Sequence, residues 1–448
     1  MKNYVKIIAL LLSFVSVVSL GVGCTVDNGG NNESPAADTP EATPEATPEA
    51  TPEATPEETP SATPTETEKE EEPEPLKSDF EKYQSNTVCA TGHNTMLKSS
   101  SGKAEVHTYR ATFKVQEFGE FEYKLYFSNN VDGSSGGFTN YPDMPTSPYT
   151  IHSAYFMTTD DKMGIKNISD KIQITFDGKE GRNVAEKEMF WSDAVTVNVP
   201  EDHFLVFEWT VEYVQIPATI VASTYVTAEI RSGSTRPSMC GVAPLPDLIG
   251  CDRNKIRLTF LGDSITEGTG SPAYTYEFWV SQIADKLGTG YSVWNLGLDS
   301  GRANDIIRGT SWKEKLKNTD ILSICIGIND VMSIYGGKPQ TGASASAADI
   351  VSSITQIAAM AEEAGAEIII FSVPPFNLTG ANLTKWQTVN QELKKLAEKK
   401  GYKYFDFAAV LGDPEDPAKC LYGDHPNGAG CKAVAEAFMA AGILEPKE

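Results

Sequence analysis

Hydrophobic and polar positions alternate along residues 78–251. In Tyr123, Leu125 and Phe127, for example, every second side chain is apolar, as in a strand with one buried face. The pattern predicts strands at 106–115, 121–127, 172–176, 195–199, 204–214 and 224–230. Since no helical period interrupts them, residues 78–251 are predicted to form an accessory β-sandwich or jelly-roll domain. The proline-containing segment 241–252 is predicted to link this domain to the next.

A different rhythm begins near Lys255, where uniformly apolar strands alternate with amphipathic helices. The predicted strands span 256–261, 292–296, 321–326, 367–373 and 402–407. The predicted helices span 275–287, 306–316, 347–364, 384–399 and 428–441. Strands that are apolar on both faces and separated by helices indicate an α/β domain, here residues 252–448, whose parallel sheet carries helices on both faces. Sites in such sheets form at the carboxyl ends of the strands.

The first residues have the composition of an export signal. Lys2 and Lys6 precede an apolar run, 7–22, and small residues stand directly before Cys24. The run is shorter than the roughly 20 residues that normally span a bilayer. It resembles a bacterial lipoprotein signal, which implies that residues 1–24 form a signal peptide and that lipidated Cys24 anchors an extracellular protein to the cell membrane. Simple secretion is the alternative.

Within residues 25–77, the sequence repeats Thr-Pro-Glu-Ala from Thr39 onward and then becomes strongly acidic. Repeated prolines exclude a regular helix and like charges repel, so a disordered stalk is predicted. The net charge of the chain is −24, but residues 31–75 alone hold fourteen acidic residues against one lysine. The remaining acidic surplus, without a basic patch, argues against nucleic acid as a partner.

Candidate chemistry lies at the end of the first strand of the α/β part, in Gly262-Asp263-Ser264. A serine that directly follows a strand, with a glycine two residues earlier, can sit at the start of a helix whose N–H groups face a reacting carbonyl. Thr266 replaces the last glycine of the G-x-S-x-G elbow, so this is not the α/β-hydrolase pattern. The segment resembles instead the block that names the GDSL, or SGNH, family of hydrolases. A simple strand-to-helix turn is the alternative interpretation.

The resemblance extends through a second block at 295–301, a third at 327–330 and a last one at 423–430, and it covers about residues 256–441. It implies a flavodoxin-like parallel sheet and an oxyanion hole built from a glycine N–H of the second block and the amide of Asn329. The second block has one residue more than the usual pattern, so the glycine is either Gly301 or Gly297. We favour Gly301.

The family also implies a histidine base before the last helix. Of the five histidines in the chain, only His425 lies in the α/β part. The usual aspartate three residues earlier is replaced by Tyr422. Asp424, beside the histidine, is our candidate for the acid that orients the ring. The alternatives are Asp406, at the end of the last strand, and a serine–histidine dyad without an acid.

A β-domain upstream of the hydrolase blocks resembles two-domain carbohydrate esterases. The resemblance implies an acyl-serine intermediate on Ser264, proton transfer by His425, and neither an organic cofactor nor a metal. No Cys-x-x-Cys pair is present, so no structural zinc site is expected. The expected substrate is an acyl ester, foremost an acetyl ester, of a polysaccharide. A lipase or lysophospholipase, and a glycan-binding lipoprotein with a vestigial hydrolase domain, are the alternatives; the oligomeric state is left open.

Overall fold

The computed structural model of the protein describes most of the chain after the predicted stalk. The described residues are 78–133, 144–145, 147–221, 225–230, 238–272, 274–309, 311–332, 334–335, 338–339, 345–421 and 425–447. The predicted signal peptide, Cys24, the predicted stalk and Asp424 lie outside the described residues. No helix in these ranges is both long enough and apolar enough to cross a bilayer.

Antiparallel strands predominate in the described residues between 78 and 252, after one short helix. The elements are α1 (Asp79–Lys82), β1 (Tyr83–Ser85), β2 (Thr95–Lys98), β3 (Glu105–Lys114), β4 (Gly119–Ser128), β5 (Asn130–Val131), β6 (Met144–Pro145), β7 (Tyr149–Thr159), β8 (Ile172–Ile174), β9 (Arg182–Val184), β10 (Met189–Trp191), β11 (Val195–Val199), β12 (Phe204–Tyr213), β13 (Gln215–Ile220), β14 (Tyr225–Ile230), β15 (Ser238–Met239), β16 (Val242–Ala243) and β17 (Leu248–Asp252).

Two of the sheets face each other. One has the order β1-β17-β4-β10, with β11 also on β4, and the other has the order β15-β14-β3-β12-β7-β8, with β9 also on β7. Phe127 of β4 stacks on Trp209 of β12 with ring centroids 5.4 Å apart, and Tyr123 of β4 meets Phe156 of β7 at 5.5 Å. Because these rings fill the space between the sheets, the predicted β-sandwich is confirmed. A third sheet, β16-β13-β2, and the two-stranded pair β5-β6 complete the described strands of this part.

Two features of the sandwich differ from the expectation. The alternation does not predict β7, whose polar His152 and Ser153 interrupt the apolar positions. The prediction that 241–252 is a linker is wrong, because the segment contains β16 and β17, and β17 pairs with both β4 and β1. Leu248 and Ile249 are buried, so their burial holds the segment in the sandwich.

Parallel strands and helices alternate after residue 255. The elements are β18 (Ile256–Gly262), α2 (Ser264–Glu267), α3 (Trp279–Leu287), β19 (Tyr291–Gly297), α4 (Ala303–Ile306), α5 (Ser311–Leu316), β20 (Ile321–Cys325), α6 (Ile328–Met332), β21 (Ile334–Tyr335), β22 (Lys338–Pro339), α7 (Ala347–Glu363), β23 (Glu367–Phe371), α8 (Gly380–Lys400), β24 (Lys403–Phe405), α9 (Phe407–Leu411), β25 (Cys420–Leu421), β26 (His425–Pro426) and α10 (Gly428–Ala440).

The central sheet has the order β19-β18-β20-β23-β24, and every neighbouring pair is parallel. This is the 2-1-3-4-5 order of flavodoxin-like folds. Phe260 of β18 packs against Trp279 of α3, with ring centroids 5.2 Å apart, whereas Leu261 belongs to the cluster that contains Ile354 of α7. Successive residues of a strand point to opposite faces, so helices cover both faces of the sheet, as predicted.

One predicted helix, 275–287, begins later than the pattern indicates, at Trp279. Tyr274 and Tyr276 have φ angles of 61° and 57°, which place both residues in the left-handed region and exclude them from a right-handed helix. The predicted helix 306–316 is replaced by two short helices, α4 and α5.

The sandwich packs along the edge of the central sheet. The side-chain carbonyl of Gln116 accepts the N–H of Val293 in edge strand β19 at 2.9 Å, and the hydroxyl of Ser292 donates to the carbonyl of Ser85 at 2.8 Å. These contacts pair an edge that would otherwise be open. Residues Lys77–Glu448 accordingly form one compact unit.

A buried charged cluster also joins the two parts. Lys315 of α5 donates hydrogen bonds of 2.6 Å to Asp132 and to Asp247, and all three side chains are fully buried. His93, Asp132 and Asp247 lie close enough together to hold a cation. The ammonium group of Lys315 already supplies a positive charge between the two carboxylates. The cluster therefore ties α5 to the sandwich by charge.

Candidate active site

Ser264 is the first residue of α2, directly after β18. Asp263 caps this helix, since its Oδ1 accepts the N–H of Ile265 at 3.1 Å. Gly262 is needed at the end of the strand, because a Cβ there would lie 1.9 Å from Oγ1 of Thr266. The N–H of Ser264 is at a helical position where no carbonyl of the helix can accept it, so it is available to a substrate oxygen.

The serine contacts the predicted base, which comes from the other end of the α/β part of the sequence. Oγ of Ser264 lies 2.8 Å from Nε2 of His425, although the two residues are 161 positions apart. Ser264 is 7% exposed, so the nucleophile is recessed but not sealed. A hydrogen bond of this length is the geometry by which an imidazole activates a hydroxyl.

Neighbouring residues fix the position of the imidazole. His425 lies on β26, just before α10, whose N-cap Asn427 accepts the N–H of Gly430 at 3.0 Å. The ring of Phe376 meets the imidazole edge to face, with centroids 5.6 Å apart. Gly270, with φ of 95°, lies so close that a Cβ there would be 2.6 Å from Cβ of His425. The segment after α2 therefore packs directly against the base.

The acid of the site stays a prediction. Asp406 accepts the hydroxyl of Ser372 at 2.9 Å and the N–H of Ala409 at 3.1 Å, which makes it the N-cap of α9. The hydrogen bonds described for this carboxylate therefore stabilise the start of α9. Asp424 lies outside the described residues.

Two carboxyl groups that the sequence analysis overlooks lie within electrostatic reach of His425. Burial raises the pKa of Asp263 to about 7, while the N–H of Ile265 and the charge of His425 act in the opposite direction. Burial also raises the pKa of Asp299, and the hydroxyl of Ser300 and His425 again oppose the effect. An ionised carboxylate at either position would stabilise the imidazolium. Asp299 lies far from the histidine in sequence and belongs to no spacing pattern with it, so sequence analysis could not identify Asp299 as a neighbour of the base.

The loop 298–301 follows β19 and contains the predicted oxyanion donor Gly301, so it is called the oxyanion loop below. The N–H of Gly297 donates to Oδ1 of Asn295 at 2.8 Å, and a Cβ on Gly297 would lie 2.1 Å from the main-chain nitrogen of Glu267. Gly297 therefore allows α2 to pack closely on β19. The N–H of Gly301 donates to the carbonyl of Leu298 at 2.7 Å and closes a turn. The role of Gly301 as an oxyanion donor stays a prediction.

Asn329 lies at the end of the neighbouring strand β20, on α6, and is 8% exposed. Its Nδ2 donates to the carbonyl of Gly301 at 3.0 Å. An amide nitrogen carries two hydrogens, so the second can be donated to an oxyanion. The adjacent Asp330 accepts the N–H groups of Ala303 and Asn304 at 2.9 Å and 3.3 Å, and burial raises its pKa to about 6. The ends of β18, β19 and β20 thus bring the predicted groups together.

Residues 260–433 match the family model of the GDSL-like lipase/acylhydrolase family. This part of the chain is a GDSL-like acylhydrolase domain. Ser264, Asn329 and His425 all lie within the GDSL domain, and the family establishes an ester hydrolase as its class. No curated protein matches the chain.

Solved structures similar to the GDSL domain come from several bacteria. A lipolytic protein of the G-D-S-L family from Veillonella parvula shares 20% identity, with 42% of this chain and 98% of that chain covered, at a TM-score of 0.35. A GDSL-like lipase from Bacteroides thetaiotaomicron shares 21% identity, with coverages of 41% and 86% and a TM-score of 0.33. An acetylxylan esterase from Geobacillus stearothermophilus shares 21% identity, with coverages of 43% and 97% and a TM-score of 0.36.

Proposed function

We propose that the protein is a cell-surface serine esterase that removes short acyl groups, foremost acetyl, from a polysaccharide. The observation that carries ester hydrolysis is the 2.8 Å contact between Oγ of Ser264 and Nε2 of His425 within the GDSL domain. The substrate class and the location are proposals that rest on further features of the chain.

The reaction runs in two halves. Oγ of Ser264 attacks the ester carbonyl carbon while Nε2 of His425 takes the hydroxyl proton, and the carbonyl oxygen becomes an oxyanion beside the amide of Asn329. The C–O bond to the sugar then breaks, and the imidazolium returns the proton to the leaving sugar oxygen. Water, deprotonated by His425, attacks the acyl-serine, which releases the acid and restores the Ser264 hydroxyl.

Polar surroundings support a short acyl group. Asp263 and Asp330 are buried close to the reacting groups, and Ser264 and Asn329 are themselves almost buried. A long acyl chain requires a continuous apolar groove, whereas an acetyl group needs little more than the space beside the serine.

Contacts between the sandwich and the segment beside His425 support an extended substrate. The hydroxyl of Tyr274 contacts Sδ of Met239, on β15 of the sandwich. Tyr274 belongs to the segment that begins with Gly270, which packs on His425. The sandwich therefore contacts the segment that packs on His425, and we expect a polymer that extends from the serine along this segment to reach the sandwich. Two-domain carbohydrate esterases, which the chain resembles, have the same order of parts.

Substrate screening tests this proposal. Purified protein is expected to release acetate from an acetylated polysaccharide, with acetylated xylan, mannan, pectin and peptidoglycan offered separately. On p-nitrophenyl esters, kcat/KM is expected to fall as the acyl chain lengthens, because a short acyl site cannot bury the extra methylenes. The Ser264→Ala protein serves as the blank.

Two outcomes would contradict the proposal. A rise in kcat/KM toward long acyl chains would indicate a lipase or lysophospholipase. Binding to a glycan without hydrolysis of any ester would indicate a binding protein with a vestigial hydrolase domain.

The proposed location depends on Cys24. The change Cys24→Ala is expected to move the protein from the membrane fraction to the medium, or to leave it unprocessed, because lipid attachment at this cysteine is the proposed anchor. Immunoblotting of fractionated cells measures this. Cys240→Ala is the control, since it removes a thiol far from the signal and should leave the distribution unchanged. A processed Cys24→Ala protein that stays in membranes would show that the anchor lies elsewhere.

A further inference from the structure

We propose that the sandwich supplies a positioning residue, Asn94, to the oxyanion loop of the GDSL domain. The inference rests on the proposed esterase function and extends the site beyond the matched segment, residues 260–433. It assigns the sandwich a part in catalysis as well as in the fold.

Asn94 makes one contact across the boundary between the two parts. Its Nδ2 donates to the carbonyl of Asp299 in the oxyanion loop at 3.3 Å. The opposite end of the amide is held within the sandwich, because Oδ1 accepts the N–H of Ile220 at 3.0 Å. The main-chain N–H of Asn94 donates to the carbonyl of Ala218, also at 3.0 Å. The side chain is fully buried, so its orientation is fixed by β13.

Two glycines of the sandwich enclose the preceding residue of the loop. A Cβ on Gly92 would lie 3.1 Å from Cδ1 of Leu298, and a Cβ on Gly133 would lie 2.4 Å from its Cδ2. Leu298 is 1% exposed. The sandwich thus approaches the loop more closely than larger residues would permit without a shift of Leu298. The apolar contact at Leu298 and the hydrogen bond at Asp299 act on consecutive residues.

The loop transmits these contacts to the reacting groups. The N–H of Leu298 donates to the carbonyl of Gly262 at 3.1 Å, two residues before the nucleophile. The N–H of Gly301 closes the turn on Leu298, and the carbonyl of Gly301 accepts Nδ2 of Asn329. A chain of direct contacts therefore joins Asn94 to the amide that is proposed to bind the oxyanion.

The loop needs this external support. Ser300 has a φ angle of 61°, in the left-handed region that a residue with a Cβ adopts only when its surroundings impose it. Asn94 fixes the carbonyl just before Ser300. Its own segment is held in turn, because Oδ2 of Asp132 accepts the N–H of His93 at 3.1 Å and the ammonium of Lys315 at 2.6 Å.

The change Asn94→Asp isolates the contact with the loop. Aspartate keeps an oxygen that can accept the N–H of Ile220, but it places a second oxygen, with no hydrogen to donate, against the carbonyl of Asp299. We expect kcat on a soluble acetyl ester to fall about ten- to a hundred-fold, because displacing a donor by a fraction of an ångström to 1 Å has an effect of this order. KM should stay within about threefold, since the loop acts mainly on the transition state.

Asn129→Asp is the matched control. Asn129 is also a fully buried asparagine of the sandwich, and its Nδ2 donates to the carbonyl of Ala185 at 2.8 Å. Thermal unfolding of both variants measures the structural cost, and we expect a lowered midpoint in both but a normal kcat only in Asn129→Asp. A folded Asn94→Asp protein with wild-type kcat, or an equal loss of kcat in both variants, would overturn the inference.

Gly92→Ala tests whether the sandwich positions the oxyanion loop if Asn94→Asp does not fold. Its Cβ would lie 3.1 Å from Cδ1 of Leu298, tighter than most such contacts, so the oxyanion loop must shift by a few tenths of an ångström at Leu298. A loss of kcat with unchanged KM supports the role of the sandwich, and wild-type kcat overturns it. The wild-type protein is assayed first, because its failure to hydrolyse any ester would refute the proposed function itself.

Discussion

Ser264→Ala is expected to lower kcat by about four to six orders of magnitude, and His425→Ala by a similar factor. The two side chains form one hydrogen-bonded unit of 2.8 Å, so the loss of either removes the covalent route. For the same reason the double variant should be no slower than the slower single variant. Release of p-nitrophenolate from p-nitrophenyl acetate measures these rates. Circular dichroism checks that each protein is folded.

Asp406→Asn is the matched control for this experiment. It removes a carboxylate at the end of a strand of the same sheet, but the described hydrogen bonds of Asp406 go to Ser372 and Ala409. We expect kcat to stay within a few-fold of the wild type. A folded Ser264→Ala protein with full esterase activity would refute the assignment of the nucleophile. A loss in Asp406→Asn as large as that in His425→Ala would instead identify Asp406 as the acid.

Lys315→Met is expected to have the largest effect on stability, about 3–5 kcal/mol in the free energy of unfolding. Burial disfavours the charged form of Lys315, but Asp132 and Asp247 outweigh this effect and raise its pKa. Burial would likewise raise the pKa of Asp247, yet the charges of His93 and Lys315 lower it. Methionine fills a similar volume without a charge, so it leaves two carboxylates in the interior without their cation. Urea unfolding followed by tryptophan fluorescence measures the change.

Lys317→Met is the matched control for the loss of stability, because Lys317 directly follows the helix that contains Lys315. Lys317 pairs with Glu314 at 3.0 Å, and 55% of its side chain is exposed. Exposed ion pairs contribute at most about 1 kcal/mol, so this variant should unfold almost as the wild type does. If Lys315→Met also unfolded within about 1 kcal/mol of the wild type, the cluster would not hold the two parts together.

The central sheet could be predicted because its strands are apolar on both faces. Strand β18, Ile256–Gly262, extends only one residue beyond the predicted 256–261. The polar residues near the ends of these strands could then be predicted to carry the chemistry. The structure places two of them, Ser264 and His425, in hydrogen-bond contact. A uniformly apolar run and a motif at its end are local signals, which a sequence displays directly.

Contacts between distant segments could not be predicted in this way. Lys315 stands in an amphipathic pattern beside Lys313, and nothing local distinguishes the buried lysine from the more exposed one. Its burial depends on Asp132 and Asp247, which reach it from loops of another part of the chain. Asn94 is equally inconspicuous, since the carbonyl it binds lies 205 residues away. A charged or polar residue acquires such a role only through tertiary structure.

The lysine cluster has a consequence for the order in which the protein can mature. Ribosomes deliver a chain from its N-terminus, so Asp132 and Asp247 emerge well before Lys315. Until that lysine arrives, a fully closed sandwich would have to bury two carboxyl groups without their ammonium partner, which is unfavourable. We therefore expect the sandwich to close fully only together with the part of the chain that follows it.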